Sequence, residues 1–255
     1  MLAFIIPVQS KATTPDWHEF SCLLNRCINS ICNQNNTNFK VIVACHEIPE
    51  TNFKNDYRVE FLQMKFSPPI LTHLNQENLI VKRADKSKKL KVASEHALKM
   101  GFPYVMTVDS DDCISNKICD FVCKNADDSV KGWYINKGYL YTEGKKYSFL
   151  NLKNFNEVCG SCIIIKPDLI ELLIDDLLYF NHERTIVNNE KLKPLPFPGA
   201  VYSMLNGNNI RLDKKELKKR TEFNLFKIRD IKTIIRRLKK YRIMPIKIIK
   251  SEFSI

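Results

Sequence analysis

The sequence predicts an α/β fold: a mixed, mostly parallel sheet flanked by helices. Three observations carry this expectation. Short apolar runs alternate with amphipathic helical patterns over the first 110 residues, the arrangement that builds βαβ units. The runs AFIIPV, FKVIVA and YVMTV are apolar throughout, as strands covered on both faces are. The chain has 255 residues, 44% of them hydrophobic. That supports one full core and excludes a disordered tail or a small disulfide-stapled module.

Residues 3–8 read as the first buried strand. The start MLAFIIPVQSK has no basic residue ahead of its apolar stretch, so it reads as this strand rather than as a secretion signal. Thr14-Pro15-Asp16 reads as a helix start, with Thr14 as N-cap and Pro15 at the first helical position. Phe20, Leu23, Leu24, Cys27, Ile28 and Ile31 then recur at helical spacing. Residues 39–44 and 58–63 are the next strands. Residues 88–100 form a helix closed by Gly101. Residues 104–108 form a strand that runs into Asp109-Ser110-Asp111-Asp112. Beyond it, residues 133–141 and 158–165 read as strands of a mixed sheet and residues 170–180 as a helix. The PLPFP run at 194–198 reads as a rigid turn leading into a short helix. No apolar run approaches the roughly 20 residues of a membrane span.

Charge is unevenly spread. Residues 214–250 hold 15 Lys/Arg against 3 Asp/Glu, an excess equal to the net +12 of the whole chain, so the remainder is neutral. Within that segment, residues 228–241 form an amphipathic helical pattern ended by Pro245. Ile228, Ile231, Ile234, Ile235, Leu238 and Tyr241 share one face. Arg229, Lys232, Arg236, Arg237, Lys239 and Lys240 share the other. Such a helix suits an anionic membrane surface, with Lys232, Arg236, Arg237, Lys239 and Lys240 as the contacts. The alternative packs the apolar face on the domain and leaves the charges solvated. Nucleic acid is not the expected partner, because the segment lacks interleaved aromatics and no nucleic-acid module is recognisable.

Nine cysteines, an odd number lying mostly in apolar segments, read as free thiols in a reducing compartment. Cys159 and Cys162 form a C-x-x-C without the second pair that a zinc site needs, and Cys119 and Cys123 have helical spacing.

The chemistry concentrates in VMTVDSDDCI. A buried strand delivers three carboxylates within four residues, and their mutual repulsion resists ionisation unless a cation is present. A hard divalent ion, Mg²⁺ or Mn²⁺, resolves the repulsion and also binds a diphosphate. The alternative is a solvated acidic turn capping the next helix. In α/β sheets ligands bind beyond the carboxyl ends of strands, where Gln9-Ser10, His46-Glu47, the surroundings of Asp85 and the Asp109 cluster all lie. Two enzyme classes place carboxylates this way: a nucleotide-sugar transferase with an Asp-x-Asp, and an Asp-nucleophile phosphatase of the haloacid dehalogenase type. The phosphatase nucleophile ends the first strand, whereas this cluster begins at residue 109. Cys113 also stands where the phosphatase pattern has Thr or Val.

The order FIIPV, a long helix, FKVIVACHE, DKSKKLKVASEHA and YVMTVDSDD resembles the nucleotide-binding half of a GT-A glycosyltransferase of the bacterial family 2 type. The later LPFPGAVYSMLNGNN resembles the C-terminal part of a bacterial group in that family. The resemblance runs from Ala3 to roughly Ile210. It implies a GT-A catalytic domain over residues 1–212, with a nucleotide-binding half (1–115) and an acceptor half (116–212), followed by a basic amphipathic helical tail (213–255). It implies metal-dependent, inverting transfer from a nucleotide-diphospho-sugar donor to a saccharide or lipid-linked saccharide acceptor. The setting implied is surface polysaccharide or lipopolysaccharide synthesis at the inner face of the cytoplasmic membrane.

The resemblance also implies residue roles. Pro7, Val8 and Gln9 lie over the nucleotide. Glu47 meets the base or ribose, and Asp85 the base. Lys89 or Lys91 passes the diphosphate. Asp109 and Ser110 lie near the ribose, and Asp111 with Asp112 holds the metal. His182 is the candidate general base or an acceptor contact, a surface helix end being its plainer role, with Glu183 beside it and Asp111 completing the catalytic set. Cys45-His46-Glu47 stands where the second strand usually ends in Asp-Asp. Asn206 replaces a late histidine that completes the metal site in related sequences, leaving water or Asn208 as substitutes. Plainer roles exist for several residues: Glu47 caps a turn before Pro49, Asp85 caps the 88–100 helix, and Gly160-Ser161 forms a bulge rather than an approach to the sugar or acceptor.

Overall fold

The structure, a computed structural model, describes residues 1–204 and 240–255. Asn206, Asn208, Lys232, Arg236, Arg237 and Lys239, with most of the 228–241 pattern, lie outside the described residues.

Four strands form the parallel heart of the protein. They are β1 (Leu2–Pro7), β2 (Phe39–Cys45), β3 (Val59–Gln63) and β4 (Tyr104–Thr107). β1 lies between β2 and β4, with Phe4 opposite Val41 on one side and Met106 on the other. Leu2 to Ile6 are completely buried. Successive strand side chains point to opposite faces, so both faces of β1 are covered. That is why this strand carries no polar alternation.

α1 (Trp17–Cys32) turns Phe20, Leu24, Cys27, Ile28 and Ile31 into the core. Its N-cap is Asp16 rather than Thr14. The Asp16 carboxylate accepts the Glu19 N–H at 2.8 Å, while the Thr14 hydroxyl is spent on the Ser10 carbonyl at 2.9 Å. α2 (Asn75–Lys99) begins well before residue 88 and packs across β1, β2 and β4. Asp85 is therefore inside a helix and is not its cap.

β5 (Cys113–Ile114) and α3 (Ile118–Asn125) follow the acidic turn. Residues 133–141, read as one strand, divide into β6 (Gly132–Tyr134) and β7 (Gly138–Thr142), which belong to different sheets. β8 (Tyr147–Asn151) and β9 (Ile163–Ile165) come next, then β10 (Ile186–Val187), β11 (Glu190–Lys191), β12 (Lys193–Pro194) and β13 (Ala200–Met204). The main sheet has the order β12-β6-β9-β4-β1-β2-β3, parallel except where β9 runs against β4 and β6.

The 170–180 helix does not form. Residues Pro167–Leu173 make a 3-10 helix. Asp175 then accepts the backbone N–H groups of Leu177 and Tyr179, and Leu178 adopts a left-handed φ of 55°. An aspartate that satisfies backbone donors two and four residues ahead makes a turn, which ends helical pairing. The PLPFP segment leads into strand β13, not a helix, because Ala200 and Val201 pair with β5.

The chain end also departs from a single helical tail over 213–255. β14 (Tyr241–Pro245) pairs antiparallel with β8, and α4 (Ile246–Phe253) follows it. The second sheet has the order β14-β8-β7-β13-β5. Ile249 and Phe253 are buried with Cys113, Tyr139, Tyr141 and Val201, and the Phe253 and Tyr139 rings meet edge to face at 5.5 Å. These apolar side chains find a core, so the segment folds with the domain. Lys240 lies next to β14, its ammonium 5.2 Å from the Tyr241 ring centre. Among the described residues no helix is long and apolar enough to cross a membrane.

Candidate functional site: a charged cleft at the strand ends

An open cleft lies at the carboxyl ends of the central strands, the place where ligands bind in such sheets. Pro7, Val8 and Gln9 line it from the end of β1, Asp109 to Asp111 from the end of β4, and His182 and Tyr202 from the far wall. α2 contributes Lys82, Arg83, Asp85, Lys86 and Lys89.

The acidic turn is the joint between the two sheets, leaving β4 and entering β5. It is closed by the Asp112 N–H donating to the Asp109 carbonyl at 3.1 Å. Ser161 ties both of its ends. The Asp109 N–H donates to Ser161 Oγ at 2.8 Å, and Ser161 Oγ donates to Asp112 Oδ2 at 2.6 Å. Asp112 is fully buried and also accepts from Cys159 Sγ at 3.2 Å and from the Ser203 N–H at 3.1 Å. Burial, with Asp111 and Asp109 nearby, pushes its carboxyl pKa up. Its oxygens point into the scaffold, and it does not line the cleft.

Behind the turn, Arg26 on α1 makes two bonds to Glu143, at 3.0 and 2.7 Å, and reaches Ser203 Oγ at 3.0 Å. Its guanidinium also lies 3.4 Å from the Asp111 carbonyl. A planar fork clamped on a carboxylate holds that wall in register.

Asp109 faces Lys86, whose ammonium donates to Asp109 Oδ1. Burial opposes the lysine charge, but Asp109, with Asp112 and Asp111 behind it, outweighs burial and raises the Lys86 pKa. Gly160 makes room for this pair. A Cβ at that position would lie 2.5 Å from Asp109 Oδ2 and 3.1 Å from Lys86 Nζ, so any side chain displaces it.

Deeper in the cleft, Asp85 accepts from Lys89 Nζ at 2.6 Å and bonds His46 Nε2 at 2.8 Å. Lys89 also donates to the Val8 carbonyl at 2.7 Å. Its side chain is fully buried, and burial lowers its pKa despite Asp85. Lys89 thus fastens α2 to the end of β1. Lys91 points elsewhere, pairing with Glu171, and does not line the cleft. Glu47 accepts the Lys11 N–H at 3.1 Å and lies outside the lining residues, while its neighbour His46 reaches Asp85.

His182 is buried, and its Nδ1 lies 2.7 Å from the Asn156 carbonyl. A carbonyl only accepts, so Nδ1 carries the proton and the basic lone pair of the neutral ring is on Nε2. Glu183 is exposed and is not among the lining residues.

The acidic-turn oxygens lining the cleft, from Asp109 and Asp111, suit a hard divalent ion. Gly160 leaves Asp109 Oδ2 uncovered while Oδ1 accepts from Lys86, whereas Asp112 is committed elsewhere. No group of three His, Cys, Asp or Glu side chains is arranged to hold a metal among the described residues.

Lys82, Arg83, Lys86, Tyr179 and Tyr202 line the cleft without having been singled out from the sequence. The first three sit within DKSKKLK and the turn of helix before it, and a helix starting at residue 75 would have placed all three on one side. Arg83 lies over the Tyr179 ring at 4.8 Å, a contact that links elements too far apart in sequence to read.

No protein-family model matches the chain, and no curated protein sequence matches it. Among solved structures, S. aureus TarS is 12% identical, covering 80% of this chain and 36% of that one, with a TM-score of 0.47. A structure of S. aureus TarS 1–349 is 12% identical over 79% of this chain and 60% of that one, at 0.46. The bifunctional IspDF from Campylobacter jejuni is 13% identical over 86% of this chain and 53% of that one, at 0.37. The chain thus spans little more than a third of the first of these.

Proposed function

We propose that this protein is a GT-A-type glycosyltransferase, transferring a sugar from a nucleotide-diphospho-sugar donor to a saccharide or lipid-linked saccharide. The observation that carries the reading is one cleft at the ends of β1 and β4, with carboxylates Asp109 and Asp111, the cation Lys86 and the imidazole of His182 all lining it. In this reading Pro7, Val8 and Gln9 cover the nucleoside and Asp85 contacts its base. Lys86 takes the diphosphate role first given to Lys89 and Lys91, because Lys89 is buried in the scaffold and Lys91 lies outside the cleft.

Asp109 and Asp111 would hold Mn²⁺ or Mg²⁺. When bound, that ion neutralises charge on the departing diphosphate. Lys86, beside Asp109, adds a positive charge for the same diphosphate oxygens. The acceptor hydroxyl attacks the anomeric carbon, the bond to the diphosphate oxygen breaks, and the acceptor proton passes to Nε2 of His182. The expected course is inversion. The Nδ1 bond to Asn156 holds the imidazole in the tautomer this step needs.

The basic segment over residues 214–250 fits attachment to the anionic inner face of a membrane where a lipid-linked acceptor resides. The direct test is donor hydrolysis with Mn²⁺ across UDP-, GDP-, CDP- and dTDP-sugars. Slow release of one nucleoside diphosphate, abolished in Asp111→Ala, supports the reading. Release of inorganic phosphate through a phospho-Asp109 would replace it with the phosphatase.

A further inference from the structure

Lys86, Lys89, Lys91 and His96 of α2 each meet a carboxylate, those of Asp109, Asp85, Glu171 and Glu60. Lys82 and Arg83 meet none among the described residues, although both line the cleft. The Lys82 ammonium donates to the Thr13 carbonyl at 3.1 Å. Burial lowers its pKa, and no carboxylate offsets that cost. The Arg83 guanidinium lies over the Tyr179 ring at 4.8 Å, a contact that holds the charge in place without neutralising it. Its planar fork matches the paired oxygens of a phosphate. Asp85 and Asp109, the carboxylates nearest along the cleft, already accept from Lys89 and Lys86. α2 joins β3 to β4 within a parallel set, so it runs back against the strands and its first turns stand at their carboxyl ends. Lys82 is therefore one turn farther out than Lys86, ~6 Å along the helix axis. Tyr179 lines the cleft together with Phe180 and His182, so Arg83 is seated on the wall that carries the imidazole.

We propose that Lys82 and Arg83 form an oxyanion subsite that takes a phosphate group of the acceptor. This rests on the donor-site reading above. In that reading Lys86 meets the diphosphate, which leaves the outer pair of cations to the second substrate, and His182 on the same wall as Tyr179 takes the acceptor's proton. The acceptor class is then a phosphorylated saccharide, its phosphate a mono- or diester. A neutral sugar would leave two positive charges in the cleft without a counter-charge. The donor diphosphate offers the same oxygens, and the test separates the two sources.

The test uses the full chain, with inorganic phosphate and glycerol phosphate as probes, titrated by calorimetry in EDTA at constant ionic strength. Lys82→Gln combined with Arg83→Gln should weaken both probes at least about tenfold. Binding of UDP, GDP, CDP or dTDP with Mn²⁺ should stay within about threefold of the wild type in the same variant. Arg83→Lys, which keeps the charge and loses the fork, should fall between the two. In the wild-type chain, phosphate should slow the acylation of Lys82, read by peptide mass mapping, more than that of the exposed Lys54. That measurement stands even where the double variant fails to fold. Equal probe affinity in the double variant and the wild type, or Lys82 acylation indifferent to phosphate, overturns the subsite and leaves the donor site standing. Loss of nucleotide binding in parallel with the probes gives these cations to the donor diphosphate and overturns the acceptor assignment. Phosphate binding that needs Lys82 and Arg83 in a chain that binds no nucleotide keeps the oxyanion subsite and overturns the donor reading.

Discussion

Ser161 donates its hydroxyl to Asp112 Oδ2 at 2.6 Å while accepting the Asp109 N–H at 2.8 Å. One side chain next to β9 thereby fixes both ends of the acidic turn leaving β4. The last aspartate of the motif is spent on architecture. Asp112→Ala strands three buried donors and should cost about 3 kcal/mol of stability. Asp112→Asn keeps an acceptor and should cost about 1 kcal/mol while retaining nucleotide binding. Urea unfolding and calorimetry on both variants check this.

The Gly160 backbone sits against the Asp109–Lys86 pair, so Gly160→Ala should act on ligand binding more than on stability. The added methyl displaces Asp109, and affinity for Mn²⁺ with pyrophosphate should fall about tenfold or more as the site loses its geometry. Titration calorimetry beside a melting curve separates the two effects.

His182→Ala should lower kcat about 10²-fold or more while leaving the donor KM within about threefold, because a general base contributes to the step and not to donor binding. Glu183→Gln, an exposed change outside the cleft, should leave both parameters near wild type.

Phe253→Ala should cost about 3 kcal/mol, since a buried ring against Tyr139 and Val201 leaves a cavity when removed. A truncation at residue 240 should melt well below the full chain. Unchanged melting would mean that β14 and α4 are an accessory tail after all.

Asp56 accepts from Arg58 at 2.6 and 3.0 Å, and that hydrogen-bonded pair holds its carboxyl pKa below the usual range. A depressed carboxylate stabilises the fold above its unfolded pKa and loses that stabilisation as pH falls through the folded value. Asp56→Asn should therefore destabilise by up to about 1 kcal/mol at pH 7, the pair being near the surface, and by nothing measurable near pH 2. Denaturant unfolding of both proteins at the two pH values reads the difference.

The central strands were legible because complete burial leaves no polar residue in them: FIIPV and YVMTV announce β1 and β4 directly. The acidic turn was legible for the same reason, as the abrupt end of an apolar run. α2 was half hidden. Its inward side carries Asp85 and Lys89, balanced by each other and by the Val8 carbonyl, and Lys86, balanced by Asp109, so the apolar periodicity that marks a helix fades there. The same substitution of ion pairs for hydrocarbon hid Lys86, which lines the cleft and pairs with Asp109, behind Lys89 and Lys91. At the other end, Asp175 looked like part of an apolar helix until its carboxylate was found on the Leu177 and Tyr179 N–H groups. Which aspartate of Asp109, Asp111 and Asp112 is structural depends on Ser161 and Ser203, partners remote in sequence.

The most direct test is titration calorimetry of UDP, GDP, CDP and dTDP into the wild-type chain and Asp111→Ala, each with and without Mn²⁺. One nucleotide should bind the wild type tightly only when Mn²⁺ is present, and Asp111→Ala should lose that gain. Binding indifferent to both the ion and Asp111, or no binding of any nucleotide, would contradict the assignment of this cleft to a nucleotide-sugar donor.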